Sequence, residues 1–263
     1  MKQTDAVVQS VVDITNGIER PSGRNMEKSF IITLDCPEVA GSAIPGQFVM
    51  IQCGQSNHVL PRPVSINRVQ GSTISLYVAV LENGRGTQWL SERNPGDVAQ
   101  VIGPVGNGFS LANKKKIVLV AGGMGIAPLV FLAEEAEKQN IECVFLYGTP
   151  GKDRYPVEKY LSRTECVIVT EDGSEGRKGF VTGLIPEYTA AVDHVFICGP
   201  SAMYETIYRN RRNLLNSIPA SVSLESRMAC GRGICYGCTI TTVNGSRRVC
   251  EDGPVFNLEE LVF

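Results

Sequence analysis

Ile117-Val-Leu-Val-Ala121 leads without a break into Gly122-Gly-Met-Gly-Ile-Ala-Pro128 and then into a helical pattern over residues 129–138. A continuous apolar run is typical of a strand that is buried on both faces of a parallel sheet. Pro128 indicates the first turn of a helix, because that turn has no intrahelical partner for the N–H that proline lacks. The stretch therefore predicts a strand, a glycine-rich turn and a helix, the beginning of an α/β unit.

The residues that follow this unit continue the alternation. Apolar runs at residues 143–147, 166–170 and 194–198 are separated by helical or loop segments. Strands that alternate with such segments form βαβ units around a parallel sheet. We therefore predict a nucleotide-binding α/β domain over residues 111–220.

The residues before this α/β unit show a different sequence pattern. Short β-rich runs are separated by turn sequences such as Pro-Gly and Asn-Gly, and a helical pattern occurs only around residues 87–93. Six short strands with close turns predict a small antiparallel β-barrel over residues 1–110. The predicted strands cover residues 6–14, 29–34, 47–52, 65–69, 73–80 and 97–102. The fold class is thus α/β plus β, with a six-stranded barrel followed by a parallel sheet.

A cysteine cluster near the end of the sequence predicts a metal site. Cys230, Cys235 and Cys238 have C-x4-C-x2-C spacing, and Cys250 follows after eleven more residues. This is the plant-type pattern for a 2Fe-2S cluster, whose four ligands are cysteine thiolates. Glycines at positions 231, 233 and 237 allow the positive φ angles that a tight wrap around a cluster requires. We predict a small 2Fe-2S module over residues 221–263.

Zinc binding and disulfide formation are the two alternative uses of these cysteines. Four thiolates can also close a structural zinc site, although zinc sites usually pair their ligands as two short hooks. A disulfide framework is disfavoured, because the chain has nine cysteines, an odd number, and is not small. The other five lie in apolar, strand-like contexts, where free cysteine behaves as a small hydrophobic residue. This usage indicates a reducing compartment.

Composition places the chain among globular proteins and excludes several partners. Of 263 residues, 43% are hydrophobic and 20% are charged, and the net charge is −2. A nucleic-acid-binding protein would present a basic face, so no nucleic-acid partner is expected. The apolar run over residues 117–133 is at the lower limit for a membrane span, but its glycines and proline favour a strand and a helix. Without a recognisable secretory signal, we expect no membrane partner and a cytoplasmic location.

Two motifs in the barrel region could bind a phosphorylated cofactor. In Pro61-Arg62-Pro63-Val64-Ser65, the guanidinium fork of arginine matches a pyrophosphate. Asn83-Gly84-Arg85-Gly86-Thr87 precedes a short helix, whose first N–H groups form an anion cradle. The alternative for the second motif is a glycine-rich hairpin turn with Thr87 as the helix N-cap.

The glycine turn of the α/β domain predicts a second phosphate site. Gly123-Met-Gly125-Ile-Ala-Pro128 overlaps the dinucleotide fingerprint but ends in proline, and Glu142 precedes the second strand instead of following it. A glycine-rich turn that feeds a helix N-terminus at the carboxyl end of a parallel strand still favours a pyrophosphate. Cys198-Gly199-Pro200 ends the fourth strand at the same edge, where Cys198 either lies beside a ligand or is simply buried.

No catalytic acid or base is nominated. The two histidines, His58 and His194, are interpreted as a loop residue and a core residue. The basic runs at residues 209–212 and 247–248 are interpreted as solvated faces, although the second lies between cluster ligands and could flank a docking surface.

Taken in order, these motifs resemble a known family. Arg-Pro-x-Ser, Gly-x-Gly-Thr, Gly103-Pro-Val-Gly-Asn-Gly108, Gly-Gly-x-Gly-Ile-Ala-Pro and Cys-Gly-Pro follow one another as in the ferredoxin reductase-like flavoproteins. With the cysteine loop added, the chain closely resembles the electron-transfer subunits of type B dihydroorotate dehydrogenases. The resemblance spans nearly the whole chain.

The resemblance implies a set of cofactor-binding residues. Those implied to bind FAD are Arg62, Pro63, Val64, Ser65, Gly86 and Thr87, with backbone groups of Ala79, Val80 and Leu81. Those implied to face NAD are Gly122, Gly123, Gly125 and Cys198. Many relatives carry tyrosine where Val64 stands, so the residue that stacks on the flavin is not identified.

The resemblance also implies a partner and a reaction. The partner would be a TIM-barrel subunit carrying FMN that oxidises dihydroorotate to orotate in pyrimidine synthesis, in a heterotetramer with two copies of each chain. Its electrons would pass through the 2Fe-2S cluster and FAD to NAD+, and the isolated subunit should show NADH-dependent diaphorase activity. Two alternatives remain: a small subunit of a ferredoxin-NADP transhydrogenase or sulfide dehydrogenase, and a non-enzymatic module with zinc or a sensing cluster.

The choice of nicotinamide depends on charges near the adenosine ribose. We place that region at residues 148–154, where Asp153 favours NAD and Lys152 or Arg154 would favour the 2′-phosphate of NADP. The family resemblance favours NAD.

Overall fold

The structure, a computed structural model, describes residues 2–18, 25–54 and 60–263. His58 lies outside the described residues. Within the described ranges, no helix is both long enough and apolar enough to cross a membrane.

The first part of the chain forms the predicted closed antiparallel barrel, with strand order β1-β2-β5-β4-β3-β6. Its strands are β1 (Lys2–Ile18), β2 (Met26–Asp35), β3 (Phe48–Ile51), β4 (Arg62–Gln70), β5 (Thr73–Leu81) and β6 (Val98–Val105). Along β6, buried residues alternate with exposed or half-buried ones, as expected of a strand with one face toward a core. Two short helices, α1 (Pro37–Ala40) and α2 (Arg85–Ser91), follow β2 and β5.

The first strand is longer than its sequence predicts. Residues 2–7 pair with β6 and residues 7–18 pair with β2, so one strand serves two neighbours. Register shifts after Val8 and after Asp13 mark bulges, which bend and twist a strand enough to turn a barrel corner. The predicted run at residues 6–14 was therefore too short, because bulges break the apolar alternation on which the prediction was based.

The second part of the chain forms a seven-stranded sheet with order β10-β9-β8-β7-β11-β12-β15. The elements are β7 (Lys116–Gly122), α3 (Ile126–Lys138), β8 (Glu142–Thr149), β9 (Glu165–Thr170), β10 (Arg177–Lys178), α4 (Ile185–Tyr188), β11 (His194–Cys198), α5 (Ser201–Arg209), α6 (Arg211–Leu215), β12 (Ala220–Ser223), β13 (Thr239–Thr242), β14 (Gly245–Arg248) and β15 (Val255–Asn257). All pairs in this sheet are parallel except that of β12 with β15. The predicted parallel sheet is confirmed.

The strand order reverses beside β7. β8 and β9 lie on one side of it, and β11 and β12 lie on the other. In open parallel sheets, ligands bind at the carboxyl edge where the order reverses. Ala121 of β7 pairs with Cys198 of β11, which brings the glycine turn and the Cys-Gly-Pro motif to that edge.

The C-terminal segment is built into the sheet and is not a separate layer. After the cysteine loop and the β13–β14 hairpin, β15 returns to pair antiparallel with β12. Val249, Cys250 and Phe256 are buried in the same hydrophobic cluster as Ile197 and Val222. The predicted cluster ligands therefore stand on a segment anchored by the core of the α/β domain.

A polar and aromatic interface fixes the barrel against the sheet. Asn67 of β4 is fully buried; its side-chain amide donates to the carbonyl of Ala127, 3.0 Å away, and accepts from the Tyr155 hydroxyl at 2.9 Å. Arg68 pairs with Glu134 of α3 at 2.6 Å. Because a buried amide needs its partners, these contacts set the position of α3 on β4.

Candidate functional site

The two barrel motifs meet at the start of β4 and the start of α2. A Cβ atom built on Gly86 would lie 2.7 Å from Nε of Arg62, so only glycine lets the helix backbone approach the guanidinium. The same guanidinium donates to the carbonyl of Leu60. The structure thus places the arginine fork directly beside the first turn of a helix, the combination that a pyrophosphate requires.

Helix α2 begins without a side-chain cap. Its N-cap is Gly84, not Thr87, because Thr87 lies inside the helix and its hydroxyl donates to the Gly84 carbonyl at 3.1 Å. A Cβ on Gly84 would lie 2.6 Å from the Leu81 carbonyl, so this turn also depends on glycine. The Arg85 N–H donates to the Asn83 carbonyl at 3.0 Å, and among the described residues no side chain caps the N–H groups of Gly86 and Thr87, which can therefore donate to an anion.

The remaining flavin-motif residues divide between two faces of their strands. The side chains of Val64 and Val80 are buried in the barrel core and can offer a ligand only backbone groups. Pro63, Ser65 and Ala79 alternate with them, are partly exposed, and face the other way. The burial of Val64 explains why it cannot replace a stacking aromatic residue.

The glycine turn after β7 packs tightly on the end of β11. A Cβ on Gly125 would lie 2.1 Å from the carbonyl oxygen of Cys198, and one on Gly122 would lie 2.9 Å from Pro200 Cδ. Gly123 has φ +52 and open space around it. Gly125 therefore provides the close helix-to-strand approach that a third glycine gives in the dinucleotide fingerprint, so Pro128 can occupy the position of that third glycine.

Tyr204 of α5, which was not predicted as a site residue, links the ends of β11 and β12. Its hydroxyl accepts from the Gly199 N–H at 2.8 Å and donates to the Ser223 carbonyl at 2.6 Å. The sulfur of Cys198 lies 3.9 Å from the same hydroxyl. Burial raises the pKa of the Cys198 thiol, so it stays protonated at neutral pH. The only sequence signal was a tyrosine on the helix that follows Cys-Gly-Pro.

Each cysteine of the loop accepts a backbone hydrogen bond at its sulfur. The Arg232 N–H points at the sulfur of Cys230 at 3.3 Å, and the Gly233 N–H points at that of Cys250 at 3.2 Å. The Gly237 N–H points at the sulfur of Cys235 at 3.4 Å, and the Cys250 N–H points at that of Cys238, also at 3.4 Å. Such donors stabilise thiolates, the form in which cysteine binds iron. The donor set therefore fits an iron–sulfur cluster.

The sulfurs associate in pairs, Cys230 with Cys235 and Cys238 with Cys250. Burial disfavours the Cys230 thiolate, but the N–H of Arg232 and the Cys235 side chain outweigh it and lower the pKa of Cys230 to about 7. Burial, together with the neighbouring Cys238 thiol, raises the pKa of Cys250 to about 12. Within the described ranges, no three His, Cys, Asp or Glu side chains are grouped to hold a single metal ion. The four cysteine side chains thus influence one another's ionisation, as side chains of one small site do.

The backbone of the loop agrees with the sequence prediction at two of three glycines. Gly231 and Gly233 have φ +60 and +71. At the third position the prediction was wrong: Gly237 is not among the residues with positive φ, and Tyr236 takes φ +58 instead. The turn thus falls one residue earlier, and the Gly237 N–H faces the sulfur of Cys235.

The cysteine loop packs on the barrel beside the flavin motif. A Cβ on Gly231 would lie 2.4 Å from Cγ of Met50, a fully buried residue of β3. Met50 pairs across the sheet with Pro63. A single strand position thus separates the predicted cluster from the predicted flavin site.

Arg248 holds the loop, and the tip of the loop is exposed. The Arg248 guanidinium donates to the Gly233 carbonyl at 2.7 Å and pairs with Glu251 at 2.7 Å. Beside Cys235, Ile234 and Tyr236 are 75% and 65% exposed, which leaves an apolar rim around the most accessible of the predicted ligands.

His194, interpreted from sequence as a core residue, is buried at the first position of β11. Its Nε2 lies 2.9 Å from the Ser221 hydroxyl. Burial, reinforced by the charge of Lys114, lowers its pKa to about 4. It stands at the amino end of the strand, away from the carboxyl edge.

The fold and these sites define an oxidoreductase of the ferredoxin reductase-like class, which uses FAD, a 2Fe-2S cluster and NAD. The family model for the iron–sulfur cluster binding domain of dihydroorotate dehydrogenase B matches residues 225–262, and that for the oxidoreductase NAD-binding domain matches residues 119–209. The chain belongs to the family of dihydroorotate dehydrogenase B (NAD(+)) electron transfer subunits. It is 38% identical over 223 residues to the subunit of Caldanaerobacter subterraneus, covering 83% of this chain and 87% of the relative. It is also 38% identical over 220 residues to the Clostridium acetobutylicum subunit, with 83% and 86% covered.

Solved structures agree with the class. An NADH-dependent reduced ferredoxin-NADP oxidoreductase, studied for flavin-based electron bifurcation, superposes with a TM-score of 0.84 at 26% identity, covering 98% of this chain and 89% of the other. A ferredoxin NADP+ reductase from Neisseria gonorrhoeae with bound FAD and NADP gives a TM-score of 0.63 at 16% identity, with 81% and 92% covered. The second similarity, at this low identity, shows the fold alone.

Proposed function

We propose that this chain passes electrons between a partner subunit that oxidises dihydroorotate to orotate and NAD+, through a cluster held by the cysteine loop and FAD held by the barrel. The observation that carries the proposal is the contact of Gly231 with Met50, the strand neighbour of Pro63. This contact supports the proposal, because it brings the loop predicted to bind the cluster against the strand pair that carries the flavin motif. The three units would be the FAD barrel (residues 1–110), the NAD domain (111–220) and the cluster module (221–263).

The FAD site is assigned to the region where β4, β5 and α2 meet. Arg62 supplies positive charge to the pyrophosphate, and the uncapped first turn of α2 at Gly86 and Thr87 supplies N–H donors. The other residues assigned to this site are Pro63, Val64, Ser65, Ala79, Val80 and Leu81. When bound, FAD exchanges electron pairs with a nicotinamide and single electrons with an iron–sulfur centre.

The NAD site is assigned to Gly122, Gly123 and Gly125, with Cys198 at the nicotinamide end. Helix α3 begins at this turn without a side-chain cap, and it packs on β4, the strand that begins with the flavin motif. This packing directs the nicotinamide end of a nucleotide toward the barrel. The protonated Cys198 thiol and the contacts of the Tyr204 hydroxyl fix the surface on which the nicotinamide ring rests.

The partner is assigned to the exposed tip of the cysteine loop. Ile234 and Tyr236 give the tip the apolar character that the core of a protein interface usually has, and Cys235 brings a ligand to the surface. We propose that a subunit carrying FMN docks there, in a heterotetramer with two copies of each chain, in the cytoplasm.

The Cys235→Ser variant tests the relay. In the purified complex we expect NADH-dependent dye reduction at the flavin to persist, while dihydroorotate-dependent reduction of NAD+ is lost, because only the second reaction needs the cluster. Cys166→Ser, which changes a partly buried cysteine of β9 outside the assigned sites, should leave both reactions intact. Equal loss of both reactions in Cys235→Ser, with FAD still bound, would contradict the proposal.

A second candidate is the small subunit of a ferredoxin-NADP transhydrogenase type of complex. The TM-score of 0.84 with an NADH-dependent reduced ferredoxin-NADP oxidoreductase favours it. Mass spectrometry of the large subunit that co-purifies with the chain decides between them: a dihydroorotate-oxidising FMN protein supports the first function, and a ferredoxin-linked flavoprotein supports the second.

A further inference from the structure

Arg154 stands on the loop that follows β8, where a cation could select NADP. In the proposed function the nicotinamide lies toward β11 and the barrel, and the pyrophosphate lies at the turn after β7. The adenosine half must then extend the other way, over the carboxyl ends of β8 and β9. A 2′-phosphate would meet the loops after those two strands, where arginine is the residue best suited to bind it.

The guanidinium of Arg154 is fully occupied by the protein. Its Nε and Nη2 donate to Glu175 at 2.8 and 2.7 Å, and Nη2 and Nη1 donate to Glu158 at 2.6 and 3.0 Å. The fifth hydrogen bond runs from Nη1 to the Tyr155 carbonyl at 3.0 Å. A guanidinium has five N–H donors, so none is left for a ligand. The side chain is only 8% exposed.

Glu158 and Glu175 together form a clamp on Arg154. The end of β9 holds the Glu175 side of this clamp in place. The N–H of Glu175 donates to the hydroxyl of Thr170 at 3.1 Å, and that hydroxyl donates to the Glu175 carbonyl at 2.7 Å. Thr170 is the last residue of β9 and is fully buried. Burial disfavours the charge of Arg154, but its bonds to Glu175 and Glu158 outweigh this and raise its pKa.

Polar contacts join the loops that follow β8 and β9. Asp172 follows β9, and its carboxylate accepts from the Ser174 N–H at 2.8 Å. The Ser174 hydroxyl in turn accepts from the Lys152 N–H at 2.8 Å, which joins the two loops. Glu158 and Glu175 therefore place two carboxylates on one guanidinium, which leaves a net charge of −1, and a dianionic 2′-phosphate would be repelled there.

We propose that Glu158 and Glu175 hold Arg154 out of the nucleotide site and so make the chain select NAD(H) over NADP(H). The inference rests on the proposed function, since it requires a nicotinamide site at this edge. The selectivity for NAD(H) then comes from a salt-bridge cluster that fully occupies Arg154. It does not come from the absence of a basic residue.

Neutralising the clamp should release Arg154. In Glu158→Gln/Glu175→Gln, we expect kcat/KM for NADPH in dye reduction to rise about tenfold relative to NADH, since one charge-assisted contact corresponds to about that factor. Calorimetric titration should show 2′-phospho-AMP binding about tenfold more tightly, with AMP unchanged. Adding Arg154→Gln should remove both gains. Glu142→Gln, which breaks the Lys116–Glu142 ion pair of 2.5 Å at the opposite edge of the sheet, is the matched control and should change neither.

Two results would overturn the inference. One is a folded double variant whose NADPH-to-NADH ratio equals that of the natural chain. The other is a loss of NADPH activity on Arg154→Gln alone, which would mean that Arg154 already binds the phosphate. If the double variant does not fold, the NADPH-to-NADH ratios of the two single variants, Glu175→Gln and Arg154→Gln, test the inference instead. Failure of NADH to reduce dye in the unmodified protein would instead count against the proposed function.

Discussion

Gly125 shows how one residue can serve a binding turn and the packing beneath it. Its hypothetical Cβ would meet the Cys198 carbonyl, a backbone atom that cannot move aside as a side-chain end can. We predict that Gly125→Ala lowers the free energy of unfolding by about 3 kcal/mol, as overpacking does, and impairs NADH-dependent dye reduction. Chemical denaturation and steady-state kinetics measure the two effects.

Gly183→Ala is the matched control for that variant. Gly183 has no described atom within 4 Å of its hypothetical Cβ and needs no positive φ. Gly183→Ala should therefore change the free energy of unfolding by less than about 0.5 kcal/mol. A Gly125→Ala protein as stable and active as Gly183→Ala would show that the turn is not packed as described.

His194 makes stability depend on pH. Its pKa falls from 6.5 to about 4 on folding, chiefly through burial, so the unfolded chain binds a proton that the folded chain excludes. Folding is therefore favoured less as pH drops from about 6.5 toward 4, by about 2 kcal/mol at pH 5. We predict that His194→Gln, which can keep a bond to Ser221, loses this part of the pH dependence. Urea unfolding at pH 7 and pH 5 tests it; an equal pH effect in both proteins would exclude His194 as the cause.

The contact between α3 and β4 joins the two cofactor-binding halves. Arg68 and Glu134 are 15% and 11% exposed, so removing one partner leaves a largely buried charge. We predict that Glu134→Ala lowers the free energy of unfolding by about 3 kcal/mol. The adjacent Glu135→Ala breaks only the exposed pair with Lys138 and should cost less than about 1 kcal/mol. Similar costs in denaturant titrations would mean that this interface does not depend on the pair.

Elements were predictable from sequence where a local pattern dictates them. The apolar run at residues 117–121 became β7, and Pro128 lies in the first turn of α3. The length of β1 was not predictable, because its bulges interrupt the alternation. Nor was the clamp on Arg154 predictable, since its partners Glu158 and Glu175 are brought together only by the fold.

Across the whole molecule, the sequence predicted three units in order but not how they join. The cysteine spacing indicated a cluster site, yet nothing in it showed that β15 would complete the α/β sheet. The contact of Gly231 with Met50 likewise joins residues 181 positions apart in the sequence. Such contacts depend on tertiary packing, which local patterns do not encode.

That contact is the basis of the central claim, that the cluster loop lies against the flavin strand. Gly231→Ala should force the loop away from Met50, whereas Gly71→Ala imposes the same backbone strain, φ +59 against +60, in open space.

The most direct test is rapid mixing of each purified variant with NADH under anaerobic conditions, with flavin absorbance and the EPR signal of the reduced cluster followed together. Gly231→Ala should show a normal flavin phase and a slowed EPR phase at unchanged iron and FAD content, and Gly71→Ala should match the natural protein in both. An EPR phase that is equally fast in all three proteins would contradict the account.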